Sequence, residues 1–104
     1  TLRAAHTDTS FSLVTSSVIC EEERWYHGPV TFNTTSGWVL YQDGAAVDTD
    51  ATTSVRPGTG AVDVGTYGGG NNMTGKLSCP MIYNRALTAA EVLQNYNAMK
   101  SRFV

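Results

Sequence analysis

Apolar and polar residues alternate in short runs as far as residue 83, and turn-forming residues separate the runs. A period of two is typical of β-strands that bury one face and expose the other. After one or two strands within residues 9–20, the pattern predicts strands at residues 25–32, 38–42, 45–48, 61–67 and 75–83. The polar stretches between them predict turns or loops at residues 21–24, 33–37, 49–60 and 68–72.

Two dipeptides sharpen this pattern. Asp43-Gly44 lies between two predicted strands, and a residue pair of this kind is a strong signal for a two-residue hairpin turn. Gly28-Pro29 interrupts the strand at residues 25–32, and proline cannot donate to a β-ladder, so we expect a sheet edge or a bulge there. About seven short strands joined by regular turns predict an antiparallel β-sandwich.

The chain contains one convincing helical pattern, from Ala89 to about Met99. The apolar positions that share one helical face are Val92, Leu93, Tyr96 and Met99. Thr88 is a candidate N-cap, and Glu91 stands three residues later, where it completes a capping box. Leu87 and Val92 occupy the positions of a hydrophobic staple.

Composition narrows the class of protein. The 104 residues suffice for one domain, and 41% apolar with 15% charged residues suits a globular core. A net charge of −2 without a basic cluster argues against nucleic acid as a partner. The apolar runs are far shorter than the ~20 residues of a membrane helix, so we expect no membrane insertion. The chain begins at Thr1 rather than methionine, which predicts processing or a fragment.

Three blocks of sequence follow one another in a defined order. They are Trp25-Tyr26-His27 with residues 30–33, then residues 40–44, then residues 73–91. Together these blocks resemble the laminin-G-like, concanavalin-A-like jelly-roll domains, over residues 25–103. The resemblance implies an all-β antiparallel sandwich with one short C-terminal α-helix, forming a single domain over residues 1–104.

The resemblance also implies a function. Domains of this kind suggest a non-enzymatic module for recognition or adhesion that binds carbohydrate or a protein surface. Residues 95–103 resemble the ends of such domains in phage and other surface proteins, which implies an extracellular or virion-surface location.

The chain departs from the family pattern in its length. Domains of this kind are usually longer, so the first strands of the jelly roll are expected to be absent, or else the chain is a shorter variant. A sandwich without those strands exposes an apolar edge, which a neighbouring subunit can cover by donating a strand. The alternative function is therefore a structural subunit of a fibre, capsid or tail, which forms a homo-oligomer through its strand edges.

Cys20 and Cys79 allow two interpretations. A disulfide between an early and a late strand would stabilise the fold by about 4 kcal/mol in the chain-entropy model. The alternative is two buried thiols that pack as small apolar groups. Two isolated cysteines without a nearby histidine do not make a tetrahedral metal site.

Two sequons, at Asn33 and Asn72, fall in predicted loops where a glycan is tolerated. Such matches arise readily by chance in a threonine-rich chain, and they have meaning only in a secreted protein. Asn33 and Asn72 are therefore candidate glycosylation sites.

No residue pattern supports catalysis. A retaining glycosidase needs two carboxyl groups about 5–5.5 Å apart. Glu21 and Glu23 can share a face, but they stand in a predicted solvated turn. His27 follows two aromatic residues, and no serine or cysteine nearby sits in an activating motif, so we expect a strand residue near the sheet surface.

Calcium is the candidate metal, and no cofactor is otherwise expected. The resemblance implies it, since related domains often bind calcium through loop carboxylates and carbonyls. Asp48, Asp50 and Asp63 supply carboxylates in or near predicted loops. Calcium takes about six to eight oxygen ligands, and the chain lacks a compact run of alternating aspartates, so turn and surface roles remain the alternative.

Carbohydrate binding needs an aromatic platform with polar neighbours. Tyr67 beside the glycine-rich residues 68–70, with Asn71 and Asn72, is the best candidate in the chain. The ring can stack on a pyranose face while the amides bond its hydroxyl groups. The alternative is a flexible loop with a tyrosine at the edge of the core.

Overall fold

The computed structural model describes residues 3–7, 11–15, 20–54, 64–67 and 71–103. Its strands are β1 (Arg3–Thr7), β2 (Phe11–Thr15), β3 (Val30–Asn33), β4 (Gly37–Gln42), β5 (Ala45–Asp50), β6 (Thr66–Tyr67) and β7 (Asn71–Asn72). Helix α1 (Ala89–Met99) follows them and continues into a 3₁₀ turn at Lys100–Phe103. Some of the predicted strands and loops therefore lie partly outside the described residues, at positions 8–10, 16–19, 55–63 and 68–70.

The first two strands form an antiparallel hairpin of their own. Arg3 pairs with Thr15 and Thr7 pairs with Phe11. β2 confirms a strand within residues 9–20, whereas β1 was not predicted. β2 also lies against β5 and β4.

The centre of the molecule is a three-stranded antiparallel sheet in the order β3-β4-β5. Asp43 and Gly44 join β4 to β5 with φ values of 52° and 85°, which confirms the predicted two-residue turn. The register shifts between Leu40, which pairs with Asp48, and Tyr41, which pairs with Ala46, so β5 carries a bulge at Val47. The described residues form three small separate sheets and do not complete a sandwich.

The strand predicted at residues 25–32 forms only in its second half. The backbone N–H groups of Tyr41 and Asp43 donate to the carbonyls of Pro29 and His27, both at 2.9 Å, so residues 27–29 still run beside β4. Pro29 has no N–H to return to the ladder, and regular pairing therefore begins at Val30. The predicted edge position of Gly28-Pro29 is confirmed, because β3 is the outer strand of its sheet.

The prediction of a last strand over residues 75–83 is wrong. This stretch has no regular secondary structure, and Cys79 adopts φ 52°, which breaks an extended chain immediately before Pro80. The apolar residues that alternate along this stretch, among them Leu77, Met81 and Tyr83, are exposed. A strand needs a partner to satisfy its backbone, and no described strand pairs with this segment.

The region around residues 61–72 also differs from its predicted strand and loop. The strand predicted at residues 61–67 is seen only as β6, after a bend at residues 64–65, and residues 61–63 lie outside the described part. Asn71 and Asn72, predicted as loop, form β7 and pair with β6. Residues 21–24 are an exposed turn, as predicted, and residues 34–36 form the predicted turn between β3 and β4.

Helix α1 has the predicted bounds. Glu91 N–H donates to Thr88 Oγ1 at 3.2 Å, and Thr88 N–H donates to Glu91 Oε1 at 3.0 Å, which is the predicted capping box. Val92 is fully buried, so the helix contributes to the same core as the β4 residues Leu40 and Tyr41.

Candidate functional site

The predicted sugar-binding residues meet in the β6–β7 hairpin. Tyr67 pairs with Asn71, and Thr66 pairs with Asn72. The hairpin is held at its base, where Met73 N–H donates to the carbonyl of Gly65 at 2.7 Å. The backbone thus places Tyr67 and Asn71 at directly opposed positions, while Asn72 stands one position along the ladder.

Two of the three predicted calcium ligands, Asp48 and Asp50, lie on β5 and accept hydrogen bonds from nearby backbone. Asp48 Oδ1 accepts from Thr49 N–H at 2.9 Å, and Asp50 Oδ1 accepts from Thr52 N–H at 2.8 Å, so both carboxylates support the backbone near the end of β5. Asp63 lies outside the described residues. Within the described ranges, no group of three or more His, Cys, Asp or Glu side chains is placed to hold a metal ion.

The predicted disulfide is not formed. Cys20 and Cys79 are both free thiols, Cys20 half-buried and Cys79 exposed. Cys79 Sγ lies 3.4 Å from the hydroxyl of its neighbour Ser78. The failed strand at residues 75–83 explains the difference, because the prediction relied on Cys79 lying in a strand close to Cys20.

The two sequon asparagines are exposed but differ in their surroundings. Asn33 Oδ1 accepts hydrogen bonds from Thr35 N–H at 2.9 Å and from Ser36 N–H at 2.6 Å. This side chain therefore organises the β3–β4 turn. Asn72 belongs to the β6–β7 hairpin rather than to the loop in which it was predicted.

The residues considered for catalysis lie in the turn before Trp25 and beside β4. Glu21 and Glu23 are exposed in the turn before Trp25, and the backbone N–H of Glu21 donates to the hydroxyl of Tyr26 at 2.8 Å. His27 is half-buried beside β4 rather than within a strand, and its ring lies 6.0 Å from that of Tyr96 on α1. Burial lowers the pKa of His27, and the nearby carboxylate of Asp43 opposes this shift.

Sequence reasoning missed a second candidate site, a cleft of about 800 Å³. Its lining comes from residues 27–32 at the outer edge of the sheet, from residues 79–85, and from helix residues that include Val92 and Asn95. Most of the lining is apolar or aromatic, as is usual for ligand sites of this size. Two signals pointed to it, namely the proline that marks β3 as an edge and an alternating apolar segment without a partner strand.

Two pairs of polar side chains at the cleft are hydrogen-bonded, Arg85 with Glu91 and Asn95 with Tyr83. Arg85 donates to both carboxylate oxygens of Glu91, at 2.7 and 2.5 Å. The hydrogen bonds from Arg85, together with that from Thr88 N–H, lower the pKa of Glu91 to about 2. The hydrogen bonds to Glu91 raise the pKa of Arg85. Asn95 Nδ2 donates to the hydroxyl of Tyr83 at 3.3 Å. This bond links α1 to residues 75–83, the stretch without regular secondary structure, which we call the irregular segment.

None of the helices in the described part of the chain has the length and apolar character needed to cross a membrane. No curated protein matches the chain significantly. Among solved structures, an S-layer domain-containing protein from Clostridium thermocellum has a similar fold, with a TM-score of 0.59 and 21% sequence identity. That alignment covers 90% of this chain and 50% of the other, so the chain spans about half the length of that structure.

A family model described as the concanavalin A-like lectin/glucanases superfamily, in its laminin G-like form, matches residues 1–93. The match begins well before residue 25, where the sequence resemblance was placed, and therefore includes the region of the β1–β2 hairpin. It ends within α1, after the capped junction that carries the third sequence block. The chain belongs to the laminin G-like domains of the concanavalin A-like lectin/glucanases superfamily.

Proposed function

We propose that this chain is a non-enzymatic recognition or adhesion module of an extracellular surface, and that it binds carbohydrate through the β6–β7 hairpin. The observation that carries the proposal is the pairing of Tyr67 with Asn71 across this hairpin. It brings an aromatic residue and an amide residue, separated by three glycines in sequence, to adjacent positions on a short ladder.

The chemistry of a sugar suits this arrangement. Directly opposed residues of an antiparallel ladder share a face, whereas the next residue along each strand belongs to the other face. A pyranose that stacks on Tyr67 would therefore find the amide of Asn71 as its hydrogen-bonding neighbour. Asn72 pairs with Thr66 and belongs to the opposite face, so it serves as an internal control.

The comparisons support an extracellular or cell-surface location for this function. The superfamily name includes lectins, and the protein of similar fold contains an S-layer domain. Both fit a protein displayed outside the cell, and a virion surface is the second setting that the sequence suggests. Protein surfaces are the other class of ligand that such a module can recognise, and calcium is a candidate bound ion.

A glycan array tests the proposal. The chain should be produced in bacteria, so that the Asn33 and Asn72 sequons stay unmodified, and screened in calcium and in chelator. We expect glycan binding in the low-millimolar range or tighter, lost in Tyr67→Ala and weakened in Asn71→Ala. Asn72→Ala should bind like the parent chain, and binding of all three variants at parental strength would refute the site.

The exposure of many large apolar side chains supports a second candidate function. Met73, Leu77, Met81 and Ile82 are each about half exposed or more. Such a surface is typical of a face that another subunit covers, so the chain is alternatively a structural subunit of a fibre, capsid or tail. Light scattering in calcium and in chelator tests this idea, since a defined oligomer would support it and a stable monomer would contradict it.

A further inference from the structure

The outer edge of β3 carries backbone groups with no partner in the described structure. Tyr41 N–H donates to the carbonyl of Pro29, and Val30 pairs with Leu40. Hydrogen-bonded and non-hydrogen-bonded pairs alternate in an antiparallel ladder, so Thr31 bonds toward β4. The N–H and C=O groups of Val30 and Phe32 therefore point away from β4, along the edge that lines the cleft.

The cleft beside this edge suits an extended chain. The four residues of β3 give an edge of about 13 Å, at about 3.3 Å per residue. Val30 and Ile82 line the cleft and are 42% and 79% exposed, so apolar surface faces solvent on both the sheet edge and the irregular segment. A strand placed here would satisfy the free backbone groups and cover this surface at the same time.

The charge of the cleft lining indicates which kind of peptide strand can bind there. Both terminal nitrogens of Arg85 are bonded to the carboxylate of Glu91, which compensates its charge. Burial disfavours the charged form of His27, and its Nδ1 is buried without a hydrogen-bond partner. The described lining thus offers no uncompensated charge to an incoming group, so an uncharged strand fits better than an acidic or basic one.

We propose that the β3 edge binds an extended, uncharged peptide strand of a partner protein, with alternating apolar side chains in the cleft and backbone hydrogen bonds to Val30 and Phe32. This is β-strand addition, in which main-chain bonds supply affinity and alternate side-chain pockets supply selectivity. The site is separate from the β6–β7 hairpin and does not depend on carbohydrate binding there.

An NMR titration tests the proposal with a blocked peptide of alternating threonine and valine. The amide signals of Val30 and Phe32 should shift, and their hydrogen exchange should slow by roughly tenfold or more, because binding buries them in new hydrogen bonds. The amide of Thr31 should change little, since it already bonds to β4. The same peptide with alternate backbone nitrogens methylated cannot complete the ladder and should not bind.

Two charge variants on the irregular segment provide the matched control. Ile82→Glu places a carboxylate in the cleft, whereas Leu77→Glu places one on the same exposed segment outside its lining. We expect Ile82→Glu to weaken peptide binding by roughly tenfold or more and Leu77→Glu to leave it unchanged. Equal effects of the two variants, or equal shifts at Thr31 and Val30, would overturn the proposal. So would a chain dimer in which the amides of Val30 and Phe32 are already protected without peptide, since a second copy would then occupy the edge.

Discussion

His27 and Asp43 are joined by two reciprocal hydrogen bonds. The backbone N–H of His27 donates to Asp43 Oδ1, and the backbone N–H of Asp43 donates to the carbonyl of His27, both at 2.9 Å. Two sequence blocks of the family resemblance, one containing His27 and one containing Asp43-Gly44, are therefore a single structural unit. The turn of the β4–β5 hairpin holds the segment that leads into β3.

Loss of the Asp43 carboxylate should destabilise the fold. Asp43→Ala leaves the His27 N–H without its acceptor and forces alanine into φ 52°, so we expect a loss of about 2 kcal/mol or more in urea unfolding. Asp43→Asn keeps both the side-chain oxygen and the tolerance for this φ, and should lose less than about 1 kcal/mol. Equal losses in the two variants would show that the hydrogen bond contributes little.

Gly44 serves both the turn and the docking of α1. Its φ is 85°, and an added Cβ would lie 2.9 Å from Leu93 Cδ1 and 3.0 Å from Tyr96 Cδ2. Gly44→Ala should therefore destabilise the chain by about 1–2 kcal/mol from the backbone alone, with a further loss from the helix contact. In a Leu93→Ala background, the loss of stability that comes from the helix contact should be smaller. Additive effects of the two substitutions in a double-mutant cycle would contradict this coupling.

The capping box should be measurable as helix stability. Thr88→Ala removes the acceptor for Glu91 N–H, and we expect a loss of about 1 kcal/mol in the free energy of unfolding. Thr88→Ser retains a hydroxyl at the same position and should stay within about 0.5 kcal/mol of the parent chain. An alanine variant as stable as the serine variant would mean that solvent satisfies the N-terminus of α1.

The lowered pKa of Glu91 should make the stability of the fold depend on pH in the acidic range. Its pKa falls from 4.5 to about 2 in the folded chain, chiefly through the hydrogen bonds from Arg85. A lowered pKa means that the unfolded state binds the proton more tightly, so the contribution of Glu91 is present above pH 4.5 and is lost as pH falls toward 2. Urea midpoints measured across this range should converge for the parent and Glu91→Gln. A difference that stays constant with pH would contradict the ion pair.

Local signals account for what the sequence predicts well. The bounds of α1 follow from the capping residues Thr88 and Glu91, and the β4–β5 turn follows from Asp43-Gly44, because each depends on neighbours within a few residues. The placement of residues 75–83 depends on a distant strand that pairs with them, and alternation alone cannot supply one. The disulfide prediction failed for the same reason, since it required a long-range pairing.

The candidate site was predictable in part. An aromatic residue beside a glycine-rich, amide-rich stretch identifies Tyr67, Asn71 and Asn72 as candidates. Their register in a β-ladder does not follow from the sequence, because asparagine is uncommon in strands. The cleft was not identified from sequence, because it arises where the β3 edge and the irregular segment come together in three dimensions.

The most direct test is the affinity of a glycan identified on the array for the parent chain, Tyr67→Ala and Asn72→Ala, measured by calorimetry under one set of conditions. We expect binding by the parent chain and by Asn72→Ala, with a loss of at least roughly tenfold, or about 1.4 kcal/mol, in Tyr67→Ala at an unchanged urea midpoint. A chain that retains no glycan, or a Tyr67→Ala variant that binds as tightly as the parent, would contradict recognition of carbohydrate by the β6–β7 hairpin.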